Sequence, residues 1–160
     1  MRNLLEFQVA QQRFAVRAAL VKEVLPRAAL TPLRDGPAAV VGILRLRGEL
    51  VLVVDLRLRL GLPPVAPRLG QCVVIARIGG DVVGILVDGV DDLISVDGPD
   101  VWAGSARAGQ IVERIVETAR GVVTVLDVAA IVGIEVRALI ATITGSGDGV
   151  DAIGVAERGS

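Results

Sequence analysis

Apolar residues in this chain come in short runs broken by turn residues, not in long helical stripes. Residues 5–10 alternate: Leu5, Phe7 and Val9 point one way and Glu6, Gln8 and Ala10 the other, the period of a strand. Gln11, Gln12 and Arg13 then read as a turn, and Phe14, Ala15 and Val16 as the returning strand. Over residues 17–25, Leu20, Val21 and Val24 recur at helical spacing, which predicts a short helical turn closed by Pro26. Residues 27–37 hold breakers, with a short strand expected around Leu30 and Thr31. Residues 40–46 and 50–54 are two apolar strands joined at Arg47, Gly48 and Glu49. Asp55 follows where a short helix begins, the position of an N-cap. Residues 61–70 carry three prolines and form a link.

The second half repeats this order. Strands are predicted at 72–78 and 82–87 around Gly79-Gly80, a short irregular piece at 88–94 like that at 21–25, a loop at 103–109, and strands at 111–116 and 122–126. Phe14-Ala15-Val16 matches Val83-Gly84-Ile85, Lys22-Glu23-Val24 matches Asp91-Asp92-Leu93, and Val53-Val54-Asp55 matches Val125-Leu126-Asp127. Arg120-Gly121 repeats the Arg47-Gly48 turn. Two small β-subdomains divided near 61–70 satisfy the pattern, and closing each sheet into a barrel removes exposed edges. One irregular sandwich fits it too. Residues 128–132 read as a short apolar turn or helix, 135–143 as a last strand or helical turn, and 145–160 as a flexible polar tail after a domain over 1–144.

Composition narrows the chemistry. The chain has 160 residues, enough for one domain with a core that needs no staples. Its aliphatic, β-branched bulk favours sheets over bundles. With 17 basic and 18 acidic residues there is no basic excess, so no nucleic-acid surface is expected. No apolar run is long enough to insert in a membrane, and no signal peptide is evident, so a cytoplasmic protein is expected. There is no histidine, no nucleophile elbow and no phosphate-binding loop. The lone Cys72 excludes an internal disulfide and reads as an inert, buried thiol. Asp88, Asp91, Asp92, Asp97 and Asp100 lack the spacing of a calcium loop and read as a solvated acidic face. No catalytic, metal or cofactor site is expected. Trp102, among small residues, reads as a contact residue or a local core plug, the plug being favoured because large aromatics are mostly buried.

The remaining signal is a set of motifs: Phe14-Ala15-Val16, Val21-Lys22-Glu23-Val24, Thr31-Pro32, Val41-Gly42-Ile43, Leu46-Arg47-Gly48, the run from Val51 to Leu60, then V-G-I-L-V-D-G-V from Val83 and Val125-Leu126-Asp127. Together, over about residues 4–132, they resemble the CheW-like chemotaxis adaptor family. The resemblance implies an all-β fold of two intertwined, five-stranded SH3-like barrels with short helical turns. It also implies a non-catalytic scaffold at membrane-proximal receptor arrays. Its partners are then the cytoplasmic tip of a methyl-accepting chemoreceptor and the regulatory domain of a histidine kinase. By the same resemblance Glu23 and Arg47 form a salt bridge shaping the receptor-facing side; on the residues alone, Arg47 simply solvates a turn. Arg45, Val41, Arg57 and Asp88 complete the expected interaction residues. The chain departs from the family pattern at Arg45, where asparagine is usual, and at Glu113 and Arg114, near a usual glycine; a charge gained at an interface changes partner choice. A regulatory domain of a larger kinase or receiver-fused protein is the alternative, and a small-molecule-binding β-domain the second.

Overall fold

The structure is a computed structural model that describes residues 2–33, 37, 39–104 and 110–144. Among the described residues there are twelve strands in two sheets. The strands are β1 (Arg2–Val9), β2 (Gln12–Arg17), β3 (Val21–Pro26), β4 (Thr31–Pro32), β5 (Val40–Leu46), β6 (Glu49–Asp55), β7 (Cys72–Ile78), β8 (Asp81–Val87), β9 (Gly89–Val96), β10 (Trp102–Ala103), β11 (Val112–Thr118) and β12 (Gly121–Leu126). Helix α1 (Leu56–Arg59) follows β6, and α2 (Val128–Thr144) follows β12.

One sheet has the order β10-β11-β12-β2-β1-β9 and the other β3-β7-β8-β6-β5-β4. Each therefore has five full strands plus a two-residue edge strand. The first hairpin, β1–β2, joins strands from the second half of the chain, while β7–β8 joins strands from the first. Parallel pairs make both joins: β2 beside β12, with Ala15 facing Val125, and β8 beside β6, with Gly84 facing Val53. This exchange is the intertwining of two SH3-like subdomains. The 61–70 link divides the two repeats, but the chain passes between sheets elsewhere, at 18–20 and at Asp88.

Three apolar clusters explain why the runs fail to alternate. The largest lies between the sheets and takes Leu5, Phe7, Val9, Phe14, Leu52, Val54, Val74 and Ile85. Val51, Val53, Val73, Ile75 and Leu86 fill the concave side of one sheet, and Leu4, Ala15, Val116, Val123 and Val125 that of the other. Central strands are thus buried on both faces and read as continuous apolar runs. Gly84 sits where this packing is closest: a Cβ there would meet Val73 Cγ1 at 2.8 Å and Val53 Cγ2 at 2.9 Å.

Several expectations change. The helical turn expected over 17–25 forms only at Ala18–Leu20, as a single 3-10 turn; residues 21–25 lie in strand β3, and 89–94 in strand β9. Tertiary pairing with β7 and β1 overrides their mixed propensity. The first turn is Ala10–Gln11, both at positive φ, one residue earlier than read. Of the two readings of residues 135–143, strand or helical turn, the helical one holds: they lie in α2, which is interrupted at Gly133 (φ 85°, ψ 162°). Trp102 is no plug: it is 42% exposed on the edge strand β10. Cys72 is half-buried, with its thiol 3.2 Å from the Gly70 carbonyl. The tail at 145–160 and most of the 103–109 loop lie outside the described residues.

Candidate functional site

The β5–β6 hairpin turns on two residues, Arg47 and Gly48, with φ of 50° and 85°. Two positive φ values define the turn whose twist matches a right-twisted hairpin, and glycine or asparagine is usual at its first position. An arginine there costs about 1–2 kcal/mol of backbone strain. The strained residue holds a partner: Arg47 Nη1 donates to Glu23 Oε2 at 2.6 Å. Arg47 itself is largely exposed. β3, which carries Glu23, is the edge strand four positions from β5. In a flat sheet that separation is about 19 Å, beyond the combined reach of the two side chains. The ion pair exists because the sheet curls until its far strands face one another. It is a closure contact of the barrel and a charged surface feature at once.

Arg45 lies exposed beside it and donates to the Gly48 carbonyl at 3.3 Å, bracing the turn. Val41, on the same strand, is half-buried against the cluster inside this sheet. The second Arg-Gly sequence is not equivalent. The β11–β12 turn is Ala119–Arg120, and Gly121 follows it with φ 114°. Register places Ala119, not Arg120, opposite Arg47 in the repeat.

Arg57 and Asp88 do not join this face. Arg57 is only 8% exposed. Its Nε and Nη2 reach the two Asp88 oxygens at 3.2 and 2.7 Å, the bidentate fork arginine favours with carboxylates. Asp88 Oδ2 also accepts the Ala10 N–H at 2.7 Å, and the Asp88 N–H donates to the Gln8 carbonyl. One carboxylate thereby ties α1, the β8–β9 crossing and the strained β1–β2 turn. Burial raises the Asp88 pKa, but the Arg57 fork and the Ala10 N–H outweigh it and hold the group below its ordinary value. The same fork raises Arg57 against the opposing effect of burial. Asp55 accepts the Arg57 N–H at 2.9 Å and Asp127 the Ala129 N–H at 3.0 Å, so both cap helices as expected. Burial pushes Asp55 up, offset in part by that N–H.

No role is expected for Glu6 from the alternation of β1, which sets it on the face opposite Leu5, Phe7 and Val9. It is fully buried, beside Leu4, on the concave side of its sheet. Arg13, diagonal to it across the hairpin, and Arg120 at 2.9 Å hold its carboxylate. The Arg13 hydrogen bond lowers its pKa against desolvation, with both guanidinium charges assisting. The available signal was Leu4: with Leu5 it makes both faces of β1 apolar. The acidic cluster is dispersed as well. Asp88 pairs with Arg57, Asp100 with Arg2 and Arg114, and Asp91 accepts from Gln8.

Charged side chains thus fasten strand ends and turns, and the Arg47–Glu23 pair remains at the surface: the fold and site define a two-barrel β-domain that presents surfaces for contact. Comparison with known proteins gives the family. A model described as the CheW-like domain matches residues 3–136. The chemotaxis protein CheW of Rhizobium meliloti (strain 1021) is 35% identical over 100 residues, 62% of this chain and 64%, just under two thirds, of that protein. A probable chemotaxis protein CheW of Rhizobium etli is 31% identical over 138 residues, 86% of each chain. The crystal structure of scaffolding protein TtCheW from Thermoanaerobacter tengcongensis aligns with a TM-score of 0.74 at 22% identity, covering 84% of this chain and 94% of that one, a likeness of fold. The chain belongs to the CheW-like domain family.

Proposed function

We propose that this protein is a non-catalytic adaptor that couples the cytoplasmic tip of chemoreceptors to the regulatory domain of the chemotaxis histidine kinase. It acts in the cytoplasm at membrane-associated receptor arrays, through a domain over 1–144. The single observation that carries the reading is the Arg47–Glu23 pair in a CheW-like domain: an arginine kept at a backbone position that disfavours it, and fixed by a carboxylate from the opposite edge of the barrel. Strained residues held by their surroundings cluster at functional sites. Arg45 flanks the pair at the end of β5 and extends the receptor-facing side, while Val41 supports the strand from within. Arg57 and Asp88 act from inside, by fixing the loops. The names of the relatives, chemotaxis proteins and a scaffolding protein, support the same reading. No helix among the described residues is long and apolar enough to cross a membrane, which agrees with recruitment by protein contacts.

The test is co-purification with a chemoreceptor cytoplasmic fragment and the kinase. Arg47→Ala is expected to reduce receptor recovery at least fivefold while the kinase is retained and the sheet circular dichroism is unchanged. Unchanged receptor recovery would overturn the assignment of this face.

A further inference from the structure

The duplication extends to an irregularity in the strands. β3 carries a bulge at Lys22: Val21 lies opposite Ala76 of β7, and Glu23 opposite Ile75. β9 carries the same bulge 69 residues later, at Asp91: Val90 lies opposite Phe7 of β1, and Asp92 opposite Glu6. A bulge re-aims the side chains beside it. Residues directly opposite on paired strands share one face of the sheet, and Ile75 and Glu6 both lie on the concave side of theirs. Glu23 and Asp92 are therefore equivalent carboxylates, each carried on the concave side of an edge strand.

What the two carboxylates meet differs. Glu23 reaches across the seam of its barrel to Arg47 in the β5–β6 turn, at 2.6 Å. Leu46 pairs with Glu49 and Thr118 with Gly121, so the residue equivalent to Arg47 is Ala119. Arg120, the next residue of that turn, reaches one strand further in and holds Glu6 at 2.9 Å. Glu6 also takes Arg13, so both of its oxygens are matched inside the barrel. In the other barrel the position of Glu6 is the apolar Ile75. Among the described residues Asp92 meets no cationic side chain; its Oδ1 accepts the N–H of its neighbour Leu93 at 2.8 Å.

The seam between β9 and the β11–β12 turn is a cleft of about 420 Å³, lined by Ile94, Val96, Asp97, Glu117 and Arg120 over the fully buried Glu6. Asp92 stands two residues from Ile94 on the same face of β9. Glu117, like Asp92, is exposed and pairs with no cation among the described residues. The cleft thus joins aliphatic walls to unmatched carboxylates. A guanidinium suits both: its stem and flat face lie on aliphatic side chains, and its N–H groups fork onto a carboxylate. An ammonium brings a single point charge and cannot make the fork.

We propose that this seam binds an arginine side chain presented by a partner protein, seated on Asp92 as Arg47 is seated on Glu23. The partner completes between molecules the ion pair that the other barrel makes within the chain. The inference does not depend on whether the Arg47 side faces a receptor.

The test is a nuclear magnetic resonance titration of the isotope-labelled full chain with a cyclised hairpin peptide. The peptide carries the sequence of the chain's own β5–β6 turn, LRLRGELV. Saturable amide shifts are expected at residues 92–97 and 117–120. Replacing the second arginine of the peptide by lysine is expected to weaken binding at least threefold, and replacing it by alanine to abolish it. Asp92→Asn in the protein keeps an acceptor for the Leu93 N–H, so the fold and urea midpoint are expected to hold while affinity for the peptide falls at least tenfold. The proposal is overturned if millimolar peptide gives no saturable shift or shifts only elsewhere. It is equally overturned if the lysine peptide binds as well as the arginine one, or if Asp92→Asn binds as tightly as the parent. None of these failures touches the receptor test of Arg47.

Discussion

Replacing Asp88 by alanine removes one carboxylate and leaves two groups stranded. The Arg57 guanidinium, 8% exposed, loses both arms of its fork. The Ala10 N–H loses its acceptor in a turn where Ala10 and Gln11 both hold positive φ. Breaking a buried ion pair from one side costs about 3–5 kcal/mol, chiefly through the uncompensated charge. The freed N–H adds about 1 kcal/mol where it stays dry. These effects share a site and do not simply add, so Asp88→Ala is expected to lose about 3–5 kcal/mol, a large part of the ~5–15 kcal/mol that holds a domain folded. Urea denaturation followed by circular dichroism measures it. The decisive comparison is the double variant Arg57→Met/Asp88→Leu, which removes both charges of the pair and is expected to cost less than Asp88→Ala alone. An Asp88→Ala loss below about 1 kcal/mol would refute the reasoning, as would a double variant worse than either single one.

Three further outcomes follow from the same geometry. Arg47→Gly relieves about 1–2 kcal/mol of turn strain and gives up an exposed pair worth about 0.2–1 kcal/mol. Its urea midpoint should therefore hold or rise slightly while receptor recovery falls; a drop of more than 1 kcal/mol would place Arg47 in the folding core of the barrel. Gly84→Val forces side-chain atoms onto Val73 and Val53 and is expected to cost at least about 1–3 kcal/mol by overpacking, read from thermal melts. Glu6 and Asp88 both have lowered pKa values in the folded state. Their stabilisation is present above the ordinary carboxylate range, about pH 4, and is lost as pH falls through the lowered values. Asp55, raised by burial, acts with the opposite sign: its cost is present above its folded pKa and disappears on acidification. An acid titration of unfolding should thus flatten in Glu6→Gln below about pH 4 relative to the parent, and an unchanged acid limb would contradict the buried role of Glu6.

Much of the architecture was legible because the repeat is written in local signals. The valine-rich strands, the Asp55 and Asp127 caps and the proline-rich link at 61–70 all lie where turn chemistry and periodicity put them. What was not legible depends on partners distant in sequence. β3 and β9 carry mixed propensity and become strands because β7 and β1 lie alongside. Glu6 drew no role because alternation assigns one polar face per strand, whereas β1 is buried on both. Trp102 looked internal because large aromatics are mostly buried, yet it lies on a two-residue edge strand. The Arg47–Glu23 pair came from family resemblance; residue spacing alone does not imply the barrel closure that brings the two together. Arg57 and Asp88, expected beside them as interaction residues, are instead joined to each other. A surface arginine and a buried one look alike in a sequence until the fold supplies their carboxylates.

The most direct test of the adaptor role is reconstitution of the three-component assembly from a receptor cytoplasmic fragment, the histidine kinase and this protein. Kinase and receptor are expected to co-sediment, with the kinase under receptor control, only when the parent chain is present. Arg47→Glu is expected to abolish that bridging, and adding Glu23→Arg to restore part of it by re-forming the pair with reversed charge. Kinase control that is the same with and without this protein would contradict the adaptor assignment.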